Sequence, residues 1–244
     1  MVTRAFFALI LLVVTSAAEE LFIPVAVQRS GQEGSWWNTE VHVINTSADP
    51  AHWAAVFLPV GKHNGELLRL ELEPEEELLG HTSTVRTDLV PEGGLGALRF
   101  VVSPGVVVWA RMYNASGKFA TSQTLPGMRR EQALRRGEVG HLVGLRRNAQ
   151  FRSNLFLFCP GPEGATVRVR VVGERGERFG DQTHGLSPGG MLVLNDFLLV
   201  LGVPRDEVVR AEVVGSAPFF ALASVVESRS GAATLHWPLT AAGR

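Results

Sequence analysis

The sequence contains very little cysteine, and Cys159 is its only one. A single thiol excludes an intrachain disulfide, so the apolar core alone must hold the fold together. Cys159 ends an apolar run over residues 155–158, which is typical of a small buried hydrophobe. A catalytic thiol would need a histidine partner, and no pattern places the nearest one in sequence, His141, beside it.

An excess of either charge is also missing. The 23 Lys and Arg residues nearly balance the 24 Asp and Glu residues, giving a formal net charge of −1. A chain without a basic excess lacks the electrostatic signature of a nucleic-acid partner. The longest N-terminal apolar run, residues 5–14, is well short of the roughly 20 residues that a membrane-spanning helix needs. We therefore expect no nucleic-acid partner and no membrane span in the mature chain.

Residues 1–18 have the order of a secretory signal peptide. Arg4 is the only charge among them, the apolar run 5–14 follows, and small residues then lead to Ala18. We predict cleavage after Ala18 and export to the periplasm, the cell surface or the medium. Cysteine does not follow the small residues, which argues against a lipid anchor.

The remaining chain contains an internal repeat. Placing residues 37–45 on residues 151–159 aligns apolar positions with apolar ones and also brings Pro74 onto Pro188. Each copy is about 110 residues long, the size of a whole domain and too long for a solenoid repeat. We predict a first domain over 19–127, a charged, solvated linker over 128–138 and a second domain over 139–240.

Each unit has the pattern of about seven short strands, rich in Val, Phe, Leu and Trp and separated by Gly, Pro, Asn and Ser. The predicted fold is all-β: two tandem Ig-like β-sandwich domains related by the repeat, each with one short helix. The helix of the second unit is expected after an Asn195 cap and before Gly202. The equivalent helix of the first unit is expected within 82–89, after a strand over 67–72.

Strand alternation predicts which faces are buried. Residues 37, 39, 41 and 43 should point inward, whereas Asn38, Glu40 and His42 point outward. In the second unit both faces of the matching strand are apolar, because Phe156 and Phe158 lie opposite residues 155 and 157. An outer face bearing two phenylalanines needs a cover, so we expect the two units to pack together.

Two stretches, residues 34–45 and 145–155, carry a resemblance, together with the turn 188–190 and the pair Asn195 and Asp196. The sequence resembles a group of exported bacterial proteins built of tandem Ig-like β-sandwich units of unassigned function. The first unit departs from the pattern at 74–76, which lack the turn glycines, and the second at Cys159, where Asn is expected. The resemblance implies export and architecture, and it implies no ligand or reaction.

Patterns of catalysis and metal binding are absent from the sequence. None of the seven histidines forms a metalloprotease motif, and no Gly-x-Ser-x-Gly elbow or phosphate-binding glycine loop occurs. The acidic stretch 71–77 has no acidic counterpart in the second unit, so it is interpreted as a solvated turn rather than a calcium site. We predict no catalytic residue, no metal, no cofactor and no enzymatic activity.

The aromatic residues leave one candidate site. Trp36 and Trp37 point to opposite faces of a strand, and Trp36 with Asn38 and Glu40 is the candidate ligand-binding set. Trp109 and Trp237 are expected in the core. The leading hypothesis is an exported structural or adhesive protein whose partner is a protein or glycan at the cell surface. The alternatives are a carbohydrate-binding module that uses Trp36 and a hydrolase whose site has no sequence signature.

Overall fold

The computed structural model describes residues 18–31, 34–115 and 121–241. Over these residues the chain is nearly all β, with two sandwiches in succession and two short helices, which confirms the predicted fold class. The predicted signal peptide lies outside the described residues except for Ala18. No helix among the described residues is long and apolar enough to cross a membrane.

The first sandwich uses eight strands and one helix. Their bounds are β1 Glu19–Ser30, β2 Trp36–Asn45, β3 Ala51–Pro59, α1 Gly65–Arg69, β4 Glu76–Leu78, β5 Ser83–Arg86, β6 Gly94–Val102, β7 Val106–Asn114 and β8 Ser122–Pro126. One layer has the order β4-β3-β6-β1, and the other contains β5, β2, β7 and β8. Strand β1 joins the layers, because its end at Arg29 and Ser30 pairs with Trp37 and Trp36 of β2.

The second sandwich also uses eight strands and one helix. Their bounds are β9 Val139–Arg146, β10 Phe151–Phe158, β11 Ala165–Gly173, β12 Arg178–Leu186, β13 Met191–Leu194, α2 Phe197–Val200, β14 Val208–Gly215, β15 Phe220–Glu227 and β16 Ala233–His236. Its layers have the orders β12-β11-β14-β9 and β13-β10-β15-β16. Strand for strand, these orders repeat those of the first sandwich.

The helix of the first sandwich is not where the sequence predicted it. Residues 83–86 form strand β5, which pairs with Val41–Ile44 of β2, and the β-branched Thr84 and Val85 suit a pleated strand. Helix α1 instead falls at Gly65–Arg69, and it overlaps the first half of the strand predicted over 67–72. In the second sandwich the helix was predicted correctly, although its N-cap is Asp196 rather than Asn195.

The two strand faces of β10 serve different cores. Leu155 and Leu157 lie inside the second sandwich, whereas Phe158 belongs to the apolar cluster of the first sandwich and Phe156 packs against it. The outer face of the β10–β15 sheet is therefore covered by the first sandwich. The ring of Phe158 lies 5.6 Å from that of Phe22 in β1, centroid to centroid.

A second set of contacts between the sandwiches is polar. The buried Asn64 side chain donates hydrogen bonds to the carbonyl oxygens of Pro59 (3.0 Å) and Gly189 (2.9 Å). Its backbone N–H donates to Pro188 and that of Gly61 donates to Met191. The loop before α1 is thus hydrogen-bonded to the 187–191 turn of the second sandwich, which fixes the two units relative to each other.

The predicted linker is not solvated along its whole length. Ala133 and Leu134 are buried, and the backbone of Met128 exchanges hydrogen bonds with Phe22 while that of Leu134 does so with Phe219. The segment therefore pairs with both sandwiches, and its apolar residues have core contacts that charge composition alone did not reveal.

Candidate binding surface

The candidate residues of β2 lie on the outer face of the first sandwich, as alternation predicted. Trp36, Asn38, Glu40 and His42 are all half-buried there, while Thr39, Val41 and Val43 are buried beneath them. Strand β7 adds Trp109, Arg111 and Tyr113 to the same face, since these pair across the sheet with His42, Glu40 and Asn38 respectively. We call this set of seven residues the polar-aromatic face.

Glu40 lies at the centre of the polar-aromatic face. One of its carboxylate oxygens is 2.6 Å from His42 Nε2, and the other accepts a hydrogen bond from Arg111 at 3.2 Å. The hydrogen bond with His42, with a further contribution from Arg111, lowers the pKa of Glu40 below its ordinary value despite partial burial. The side chain is therefore a carboxylate at neutral pH and is held in place from both sides.

The rings of the polar-aromatic face are held by polar neighbours. The His42 and Trp109 rings are stacked, with centroids 3.9 Å apart and planes 7° from parallel. The Arg111 guanidinium lies 4.9 Å from the centre of the Tyr113 ring, within the range of a cation–π contact. The indole N–H of Trp36 donates to Asn38 at 3.1 Å. Each ring is thus in contact with at least one polar neighbour.

The expectation that Trp109 is a core residue is wrong. It lies half-buried on the outer face, between the buried Val108 and Ala110. The signal was present in the sequence, because Arg111 and Tyr113 share its alternation and mark that side of β7 as polar. Trp237, also expected in the core, is partly buried and packs against the apolar cluster of the first sandwich.

Other groups that the sequence raised have structural surroundings. Cys159 is fully buried, as predicted, and burial raises the pKa of its thiol. Glu75 in the acidic stretch forms an ion pair with Arg86 at 3.0 Å. Within the described ranges, no three His, Cys, Asp or Glu side chains converge to hold a metal ion.

No protein-family model matches the sequence, and no curated protein matches it. Among solved structures, Thermotoga maritima 1070 is 17% identical with a TM-score of 0.38, over 45% of this chain and 98% of that one. A glycosyl hydrolase family 2 member from Bacteroides cellulosilyticus is 10% identical with a TM-score of 0.20, over 91% of this chain and 28% of that one. A Bifidobacterium dentium β-glucuronidase, complexed with coumarin-3-O-glucuronide, is 11% identical with a TM-score of 0.16, over 91% and 47%. Similarity at this level supports no statement about function.

Proposed function

We propose that the chain is an exported, non-catalytic adhesive protein that binds a glycan on its polar-aromatic face. The observation that carries the proposal is the grouping of three aromatic side chains with three hydrogen-bonding ones on a single outer sheet face. Trp36, Trp109 and Tyr113 provide the rings. Asn38, Glu40 and Arg111 lie on the same face, where Asn38 pairs across the strands with Tyr113 and Glu40 pairs with Arg111.

Carbohydrate suits this combination of groups. A sugar ring has an apolar C–H face that packs on an aromatic ring, and its edge carries hydroxyl groups that donate and accept hydrogen bonds. On the polar-aromatic face Asn38 is the cross-strand neighbour of Tyr113, and the guanidinium of Arg111 lies over the Tyr113 ring. A rigid surface also loses little conformational entropy on binding, and the Glu40 contacts supply that rigidity.

The chemistry of Glu40 favours binding over catalysis. A glycosidase needs a protonated acid with a raised pKa and a second carboxyl group facing it. The pKa of Glu40 is lowered instead, and both of its oxygens are engaged by His42 and Arg111. Outward positions of β2 and β7 contribute no second carboxylate. Glu40 is thus suited to orienting hydroxyl groups.

Export and duplication are parts of the same proposal. The signal-peptide pattern of residues 1–18 supports export. The matching strand orders of the two sandwiches support an origin by duplication. The strand pairings agree as well: Trp37 of β2 pairs with Asn114 of β7, and the residue equivalent to Trp37, Phe151 of β10, pairs with Glu227 of β15. After duplication, the outer faces of β2 and β10 would have taken different roles.

The test is a glycan-binding titration followed by tryptophan fluorescence and calorimetry, with a panel of soluble oligosaccharides and insoluble polysaccharides. We expect Trp109→Ala and Tyr113→Ala to weaken binding by at least about tenfold, which corresponds to about 1.4 kcal/mol. Leu199→Ala is the matched control, because Leu199 is 53% exposed on the second sandwich. Absence of binding across the panel, or binding that Trp109→Ala leaves unchanged, would refute the proposal.

A further inference from the structure

A cleft lies where the first sandwich meets the outer face of the β10–β15 sheet. Its volume is about 370 Å³, within the range of small-molecule sites. Both sandwiches line it, and it is separate from the polar-aromatic face, none of whose seven residues contributes to its walls.

The wall from the second sandwich is one continuous sheet face. Arg152, Asn154 and Phe156 alternate along β10 and line the cleft, and they pair across the sheet with Val226, Ser224 and Leu222 of β15. The polar end of this face carries the arginine and the amide, and the apolar end carries the phenylalanine. A ligand lying along β10 would therefore meet a charged group at one end and an apolar surface at the other.

The wall from the first sandwich also combines a charged group with apolar side chains. Arg29 at the end of β1 is the cross-strand neighbour of Trp37 in β2, and both line the cleft. Val27, two residues before Arg29 and also in the cleft wall, packs against the apolar cluster. Each sandwich thus contributes one arginine and one aromatic ring.

The charges of the cleft are not balanced. Among the residues that the structure describes, Arg29 and Arg152 are the only charged ones that line it, and neither forms an ion pair or a side-chain hydrogen bond with another of them. Elsewhere most interior or half-buried guanidinium groups have carboxylate partners, as in Arg99, Arg111, Arg130, Arg147, Arg170 and Arg210. Two unpaired arginines on facing walls favour an anion.

Uncharged polar groups in the cleft also have unused hydrogen-bonding capacity. The side chains of Gln123 and Ser224 are 9% and 6% exposed, line the cleft and form no hydrogen bond within the described ranges. Asn154 accepts a hydrogen bond from the Asp196 backbone through its oxygen, which leaves its amide hydrogens available. Buried polar groups usually have partners, so these three are suited to a ligand that donates and accepts hydrogen bonds.

We propose that this cleft binds a small amphiphilic organic anion. Its carboxylate or sulfonate group lies between Arg29 and Arg152, which can each form two parallel hydrogen bonds to it. Its apolar body packs between Trp37 and Phe156, and Ser224 and Gln123 bond to polar substituents. Because both sandwiches hold the ligand, binding also strengthens their contact.

The test uses two probes with the same aromatic body. Anilinonaphthalenesulfonate carries an anionic group, and N-phenylnaphthylamine lacks it; both fluoresce on entering an apolar site. We expect one sulfonate per chain, bound at least about tenfold more tightly than the neutral probe. Arg29→Met and Arg152→Met should each weaken sulfonate binding about tenfold and leave the neutral probe unaffected. Competition by a series of carboxylates that displace the sulfonate probe then identifies the apolar group that the cleft prefers.

Two controls separate this site from other surfaces. Arg205 is exposed and forms no ion pair with a described residue, so Arg205→Met should leave both probes unchanged, as should Trp109→Ala on the polar-aromatic face. If Arg152→Met lowers the melting temperature, Arg29→Met decides, because Arg29 is exposed. Equal affinities for the two probes, no sulfonate binding, or unaltered binding by Arg29→Met would overturn the proposal. The glycan titration has no bearing on it.

Discussion

Phe22 in β1 and Phe158 in β10 pack against each other across the boundary between the two sandwiches, with ring centroids 5.6 Å apart. Phe220, the cross-strand neighbour of Phe158, is stacked on it at 6.2 Å. Phe22 is fully buried, and Phe158 and Phe220 are 1% and 3% exposed. The boundary between the sandwiches therefore has the packing of a core, and the pair should unfold as one cooperative unit.

We predict that Phe158→Ala lowers the free energy of unfolding by about 3–5 kcal/mol, the usual cost of truncating a buried phenylalanine. The parent protein should unfold in one calorimetric transition. The Phe158→Ala variant should unfold at a lower temperature or in two separate transitions. Leu199→Ala, at an exposed position, should change stability by less than about 0.5 kcal/mol. An unchanged melting temperature for Phe158→Ala would mean that the interface contributes nothing to stability.

Asn64 offers a test of the polar contact between the sandwiches. Asn64→Asp replaces an amide N–H₂ that donates to Pro59 and Gly189 with a carboxylate oxygen that faces the same two carbonyls. We expect a loss of about 1–3 kcal/mol in chemical denaturation, and more than for Asn64→Ala. Asn148→Asp is the matched control: Asn148 uses its oxygen as an acceptor from two backbone N–H groups, and aspartate keeps that acceptor. Equal effects of the two Asp variants would argue against this interpretation.

Cys159 should be chemically inert in the folded protein. It is fully buried, and burial raises the pKa of its thiol, so little thiolate forms near neutral pH. A thiol-reactive disulfide reagent should modify it slowly in buffer and rapidly in guanidinium chloride. Dithiothreitol should leave the melting temperature of the monomer unchanged. Rapid labelling of the native protein would show that the 155–159 region opens.

Glu40 should make stability depend on pH in the acid range. The pKa of Glu40 in the folded protein lies below its ordinary value of 4.5. Its contribution to the free energy of unfolding is therefore complete above pH 4.5 and is lost as the pH falls through the folded-state pKa. Glu40→Gln should therefore be less stable than the parent at neutral pH, and the difference should shrink below pH 4.5. Urea denaturation of both proteins at a series of pH values from neutral to below 4.5 measures this difference in stability. Glu92→Gln, at an exposed turn position, should show no such convergence.

The buried and outer faces of the strands, including the covered outer face of β10, could be predicted from the sequence. Successive side chains along a strand point to opposite faces, so each face follows from the order of residues in that strand alone. The burial of Val41 and Val43 and the position of Phe158 outside its own core followed from that rule. The helix of the first sandwich could not be predicted by analogy with the second. Residues 83–86 include the β-branched Thr84 and Val85 and pair with β2 as a strand, so local propensity outweighed the expected equivalence of the two units.

The candidate site was predicted only in its β2 half. Trp36, Asn38 and Glu40 lie on one face as expected, but their β7 neighbours depend on a pairing between residues more than 60 positions apart that no local pattern fixes. The cleft was missed for the same reason. Arg29 and Arg152 come from different sandwiches, and each by itself is an ordinary charged residue of a strand.

The contact between the sandwiches is heterologous: the β10–β15 sheet of one unit lies on the β1–β6 sheet of the other. Among identical copies, such a head-to-tail contact would generate a closed ring or an open filament. The positions of Phe156 and Phe158 are occupied in the first sandwich by His42 and Ile44, beside the ion pair of Glu40 and Arg111.

At the opposite end of the molecule, the outer face of β11 has Arg168 and Arg170 where β3 has Ala54 and Val56. Both arginines form ion pairs with Asp181, at 2.5 Å and 3.2 Å. The two terminal surfaces are thus charged where the internal one is apolar, as in the capping repeats of longer arrays. Charged terminal surfaces of this kind do not offer the apolar contact that joins the two sandwiches.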